Sequence, residues 1–177
     1  MPANTGCPSQ DLNFLSPNGF RFSIERLPKV SFFTQTIALP DVSLGDNGVA
    51  TPLSRIAIPG DDLTFSPLVV PFIVTADMSN WLEIWRWIQG LGFPESYDQY
   101  TTEQNTRGPS GSSDLAKNYS DAFLTVLGSN NVAVKTFRFV DCFPTSLSGI
   151  SFASTNTDVQ YATAQIVLNY SYFKIDS

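Results

Sequence analysis

The 177 residues include no histidine, with 16 acidic and 10 basic side chains and a formal charge of −6. Without histidine there is no Ser-His or Cys-His nucleophile pair and no imidazole metal ligand, which excludes most hydrolase and zinc chemistries. The acidic surplus argues against a protein that grips nucleic acid by its phosphates, and the length suits one domain.

Residues 1–16 read as a flexible leader to a domain over 17–177. The stretch Met1 to Asp11 has neither the basic residues nor the apolar run of a signal peptide. No stretch approaches the ~18 consecutive apolar residues of a membrane span. Cys7 and Cys142 are too few for a disulfide framework, so both are expected as free thiols in a reducing compartment.

Most of the chain reads with period two. Phe20, Phe22 and Ile24 alternate with Arg21, Ser23 and Glu25, predicting a strand with one wet face, launched by Pro17-Asn18-Gly19. Val30 to Ile37 is a second predicted strand and Leu53 to Ile58 a third. Leu63 to Val74 is apolar but holds Pro67 and Pro71, which predicts an edge or bulged strand.

A helix follows. Asn80 is a candidate cap with Glu83 completing a capping-box-like pair, and Asp77 is an alternative a turn earlier. Trp81, Ile84, Trp85 and Ile88 form the predicted core stripe, and Gly90 or Gly92 ends the helix. Trp87 falls off that stripe, either folded back on the helix flank or serving as an inter-subunit anchor. From Pro94 to Tyr119 there is little periodicity, so a long loop is expected, mobile in one subunit and ordered by a neighbour. Ala122 to Leu127 and Val132 to Val140 form a predicted hairpin through Gly128-Ser129-Asn130-Asn131. Val159 to Ile175 is a 17-residue run, about 55 Å if straight. Such a strand either bends or projects past the domain.

Chemistry is sparse. Asp61-Asp62 after Pro59-Gly60 reads as a solvated turn, and Asp46-Asn47-Gly48 as another, lacking the spacing of a calcium loop. Asp114 and Asp121 have no partner acid or base in evidence. Tyr161, Tyr170 and Tyr172 suit stacking on a sugar or base, but in an alternating strand they suit packing on a sheet face better. No catalytic residue, cofactor or metal is expected. An aromatic-rich, sparsely charged chain with unpaired edges instead suits self-assembly. The expected interface residues are Trp87, Phe93, Tyr97, Tyr100, Arg107, Tyr170 and Tyr172.

Several stretches, in order, resemble the tail-tube superfamily of contractile-tailed bacteriophages. They are Pro17-Asn18-Gly19-Phe20, Ala38-Leu39-Pro40-Asp41-Val42, Phe65-Ser66-Pro67-Leu68 through Phe72-Ile73-Val74, and the helix with Trp81, Trp85 and Trp87. Phe143 to Ser148, Phe152, Thr157-Asp158-Val159-Gln160-Tyr161 and Tyr170-Ser171-Tyr172-Phe173 complete the set. The likeness leans toward the tail completion (terminator and sheath stabiliser) group of T-even-like phages. Ser66-Pro67 stands where relatives often show Asp-Pro. The resemblance implies an α+β, mainly β fold: a tail-tube-like β-sandwich or partial barrel with one main α-helix and the long loop 94–119. It implies a hexameric ring capping the tail tube, in contact with tube protein, sheath protein and head-tail connector, with DNA passing through the lumen without specific binding. Such a protein belongs to the virion and assembles in the host cytoplasm, away from membranes. Alternative readings are a tube or tube-initiator protein of the same fold and, from a different class, a carbohydrate-binding β-sandwich.

Overall fold

In the computed structural model, which describes Leu15 and residues 17–50, 54–92, 94–99, 118–152 and 161–176, the first alternating run becomes strand β1, Phe20–Ile24. Its Phe22 and Ile24 are buried while Arg21 faces solvent. The next predicted strand is not one. Pro28–Phe32 forms a short helix, α1, with proline in its first turn, where a missing N–H costs nothing. Leu27 and Val30 are fully buried around it, so burial overrides the β-propensity of this segment. Only Thr34 keeps strand character, bridging to Phe72.

Two long strands follow, β2 (Val42–Ala50) and β3 (Arg55–Phe65), paired with each other as a separate two-stranded sheet. Both predicted turns therefore lie inside strands: Asp46-Asn47-Gly48 pairs with Pro59, Ile58 and Ala57. The ladder tolerates them by slipping between Leu44 and Asp46, where one residue, Gly45, stands against Gly60-Asp61-Asp62. There the backbones close in, and a Cβ on Gly60 would sit 2.6 Å from the Gly45 carbonyl oxygen. Pro67 then separates β3 from β4 (Leu68–Ile73). As the prolines require, β4 ends its sheet, with β7 (Thr163–Asn169) as its strand partner. Gln35 N–H donates to the Pro71 carbonyl at 3.2 Å and Ile73 N–H to the Phe33 carbonyl at 3.0 Å, so the segment after α1 covers that edge.

Helix α2 spans Ser79–Gly92. Asp77, the alternative cap, accepts the Ser79 N–H at 3.2 Å. Asn80 lies inside the first turn and is fully buried. Its Oδ1 accepts the N–H groups of Thr75 and Trp81 at 3.2 and 2.9 Å, and its Nδ2 donates to the Ile73 carbonyl at 2.7 Å. Glu83 instead pairs with Lys29 at 3.2 Å, so no capping box forms. The buried stripe is Asn80, Ile84, Trp87 and Gly90. Apolar residues cover so much of this helix that two stripes satisfy helical spacing, and the structure buries the one that includes Trp87. Trp85 is 43% exposed and stacks on Trp81, ring centres 5.9 Å apart.

The second half holds the predicted hairpin, β5 (Ser120–Leu127) and β6 (Ala133–Leu147), with Asn131 at φ 55° in the turn. The 17-residue terminal run bends. β7 pairs with the C-terminal part of β6, and after Tyr170-Ser171 strand β8 (Tyr172–Asp176) pairs with its N-terminal part. Opposite the bend, Asp141 adopts φ 58°, and its N–H donates to Asp121 Oδ1 at 3.3 Å. The sheet order is β1-β5-β6-β7-β4 with β8 against β6, antiparallel and not closed into a barrel. The chain is mainly β, in keeping with the expected tail-tube-like sandwich or partial barrel.

Candidate assembly surface

Of the seven interface residues expected from sequence, the structure describes four. Trp87 has no exposed surface: its indole N–H donates to the Asn118 carbonyl at 3.2 Å and the Arg26 guanidinium lies 4.7 Å from its ring centre. Tyr170 is buried too, its hydroxyl donating to the Ser66 carbonyl at 2.9 Å and its ring edge-on to Phe139. With Phe65, Phe137 and Phe173 it forms the aromatic cluster that pins the terminal bend. In the folded subunit neither residue has side-chain surface to offer a partner. Tyr97 and Tyr172 are exposed but lie on separate elements. Phe93, Tyr100 and Arg107 lie outside the described residues, as do Cys7 and most of the 94–119 loop.

The hairpin β2–β3 is the larger apolar surface. Val42, Leu44, Val49, Ile56, Ile58 and Leu63 are each 46–54% exposed. Strand β2 runs through the slip without an inserted residue, so its alternation puts Val42 and Leu44 on one face and Asn47 and Val49 on the other. Their partners follow: Leu63 lies with Leu44, Ile56 with Val49 and Ile58 with Asn47. The apolar side thus changes face at the Gly45–Gly60 contact. Two strands alone are marginal in water, and half-exposed aliphatic side chains on both faces call for cover. Sequence reasoning missed this surface because Asp-Asn-Gly and Pro-Gly-Asp-Asp interrupt the alternation that marks it.

Charge is unevenly placed. The outer face of the sheet balances Arg21, Arg138 and Lys174 against Glu25, Asp121 and Asp176, with Arg138 held to Asp121 at 2.6 Å. The hairpin carries Asp46, Asp61 and Asp62 against Arg55, so part of the acidic surplus resides there.

The remaining chemistry is quiet. An apolar groove of about 230 Å³ is lined by Leu15, Phe20, Ile37, Leu39, Leu124 and Val126, among others. No group of three or more His, Cys, Asp or Glu that would hold a metal occurs among the described residues, and none of their helices is long and apolar enough to cross a membrane. Burial pushes the Cys142 thiol up to about 12 from 9.0, and burial followed by the nearby Cys142 pushes the Tyr170 hydroxyl up to about 12 from 10.0. Both groups hold their protons more tightly folded than unfolded. Their contribution is whole below pH 9.0 and is lost as pH rises toward about 12. The urea midpoint should therefore fall between pH 9.0 and about 12, and less steeply in Cys142→Ala. A midpoint unchanged up to pH 11 would contradict the burial of both groups.

No protein-family model matches the chain. The tail tube terminator protein of Enterobacteria phage T4 is 23% identical over 173 residues, covering 94% of this chain and 92% of that one. Among solved structures, the tube-terminating cap of the anti-feeding prophage (AFP) superposes with a TM-score of 0.62 at 13% identity, over 99% of both chains. The sheath/tube terminator of the PVC extracellular contractile injection system gives 0.58 at 16% identity, over 94% of this chain and 100% of that one. The fold is thus one shared by tube terminators of contractile systems. Within the tail-tube superfamily the chain resembles a bacteriophage tail terminator, as its ordered motifs imply.

Proposed function

We propose that the chain is the tail terminator of a contractile-tailed bacteriophage, a structural component of the virion. Six copies close into a ring that caps the tail tube, ends its elongation, and joins the tail to the sheath and head connector. Assembly takes place in the host cytoplasm, and DNA later passes through the lumen without specific binding. The observation that carries this reading is the β2–β3 hairpin, whose two faces leave six large aliphatic side chains uncovered. A neighbouring copy or the tube beneath it supplies the cover that a lone subunit lacks. The charge-balanced outer face of the sheet suits a wall past which DNA slides, since no excess of either sign holds or repels it strongly.

The same two-faced hairpin favours one second reading, a tube or tube-initiator protein, in which rings stack on both sides. Native mass spectrometry and negative-stain microscopy of the purified chain separate the readings. A terminator gives discrete six-fold rings that shorten tubes when added to polymerising tube protein. Long filaments from this chain alone would move it to the tube reading. A strict monomer that binds oligosaccharide would overturn both.

A further inference from the structure

Two strands of the six-stranded sheet have a strand neighbour on one side only among the described residues: β1, paired to β5, and β8, paired to β6. Strand direction alternates across β1, β5, β6 and β8. Around a common axis, β8 of one copy therefore runs antiparallel to β1 of the next. We propose that this seam between copies of the chain closes the ring, in the register that sets Asp176 of one copy opposite Arg21 of the next. The inference rests on the ring reading above and adds to it the strands and the residue pairs.

Backbone phase narrows the register first. Glu25 N–H donates to the Asp121 carbonyl at 3.1 Å, and Leu127 N–H to the Gly19 carbonyl at 2.9 Å. The odd-numbered residues of β1 thus turn their peptide groups toward β5, leaving those of Phe20 and Phe22 toward the outer edge. Carrying the alternation through β5 and β6 turns the peptide groups of Phe173 and Ile175 toward the outer edge of β8.

Side-chain direction gives the same parity. Phe20 and Phe22 share the inward face with Phe173 and Ile175, while Arg21 and Ser23 share the outer face with Lys174 and Asp176. An even-numbered residue of β1 must therefore stand opposite an odd-numbered residue of β8.

Charge and overlap choose among the registers that remain. Sliding two residues one way sets Arg21 opposite Lys174, like against like. Sliding two residues the other way leaves only 23–25 against 174–176. The register between them matches all of β8 against Arg21–Glu25, sets Arg21 opposite Asp176 and puts Glu25 diagonal to Lys174. It also brings Ile175, 58% exposed in the subunit, opposite Phe22. Neither Arg21 nor Asp176 has an ion-pair partner among the described residues.

Cysteine pairs test this directly. In a Cys7→Ser background, Arg21→Cys with Asp176→Cys should oxidise into a ladder of covalent oligomers reaching the hexamer on a non-reducing gel. The two positions cannot bridge within one chain, because they lie three strand spacings apart, about 14 Å. Ser23→Cys with Asp176→Cys should stay below about one-tenth of that yield, since these residues meet only in the slipped register. A ladder from the second pair instead of the first overturns the register. Rings that form without either ladder overturn the seam and leave the ring reading standing. A wild-type chain that never forms rings sinks both.

Discussion

Trp87→Ala should lower the unfolding free energy by about 3–5 kcal/mol. The side chain is fully buried, and its removal leaves a cavity between α2 and the sheet and frees the Asn118 carbonyl from its 3.2 Å hydrogen bond. Burying a tryptophan removes roughly 150–250 Å² from water, which at about 25 cal/mol per Å² accounts for the same range. The Arg26 guanidinium packed over the ring loses its aromatic partner as well. In a chain of this size each kcal/mol moves the melting temperature by about 2–4 °C, so the loss should reach roughly 10 °C. Trp85→Ala is the control. That ring is 43% exposed and stacks on Trp81, so its removal should cost only about 1 kcal/mol. Calorimetry of the two variants side by side decides the matter: equal losses would mean that the helix buries the other stripe.

The tryptophan pair shows where sequence reading reached its limit. Spacing located α2 and its C-terminal glycines, but an apolar helix satisfies more than one stripe, and only the sheet it meets selects between them. Tyr170 was legible as a strand residue facing a sheet, yet its burial depends on the bend that brings Phe65 and Phe139 around it. The strands of the β5–β6 hairpin and β1 were legible because alternation and turn chemistry agreed there. They disagreed along β2–β3. Asp46-Asn47-Gly48 has the composition of a turn, and only its pairing with Pro59, Ile58 and Ala57 keeps it extended. Val30 failed in the opposite sense: a β-branched residue became helical because Pro28 started a turn and the core took the side chain. Net charge also misled when read as a property of the whole chain. The acids of the hairpin are exposed on a projecting element, while those on the outer face of the sheet stand beside Arg21, Arg138 and Lys174.

Replacing Ile56 and Ile58 together by aspartate should abolish assembly while leaving the subunit folded. Both side chains are already about half exposed in the lone chain, at 54% and 46%, and they belong to a sheet separate from the one that forms the core. The subunit should therefore melt within about 2 °C of wild type, because surface substitutions away from a packed core cost ~0.5 kcal/mol or less. Assembly is different. Covering the rest of each isoleucine contributes about 1 kcal/mol at an interface, so the pair accounts for about 2 kcal/mol per contact, roughly a 30-fold change in dissociation constant. Desolvating two carboxylates in their place adds to the loss. Ile56→Val with Ile58→Val keeps the shape and charge of the surface and should assemble within about threefold of wild type, since each change removes one methylene. Leu44→Asp with Leu63→Asp probes the opposite face of the hairpin, beyond the Gly45–Gly60 contact. If one partner covers each face, one double variant loses the ring and the other keeps the ring but fails to cap tubes. Analytical ultracentrifugation reads the first defect and tube-length distributions by electron microscopy read the second. Should the Ile56→Asp/Ile58→Asp protein sediment as wild-type rings and still shorten tubes, its exposed isoleucines contact nothing, and the assembly role must be sought on another surface.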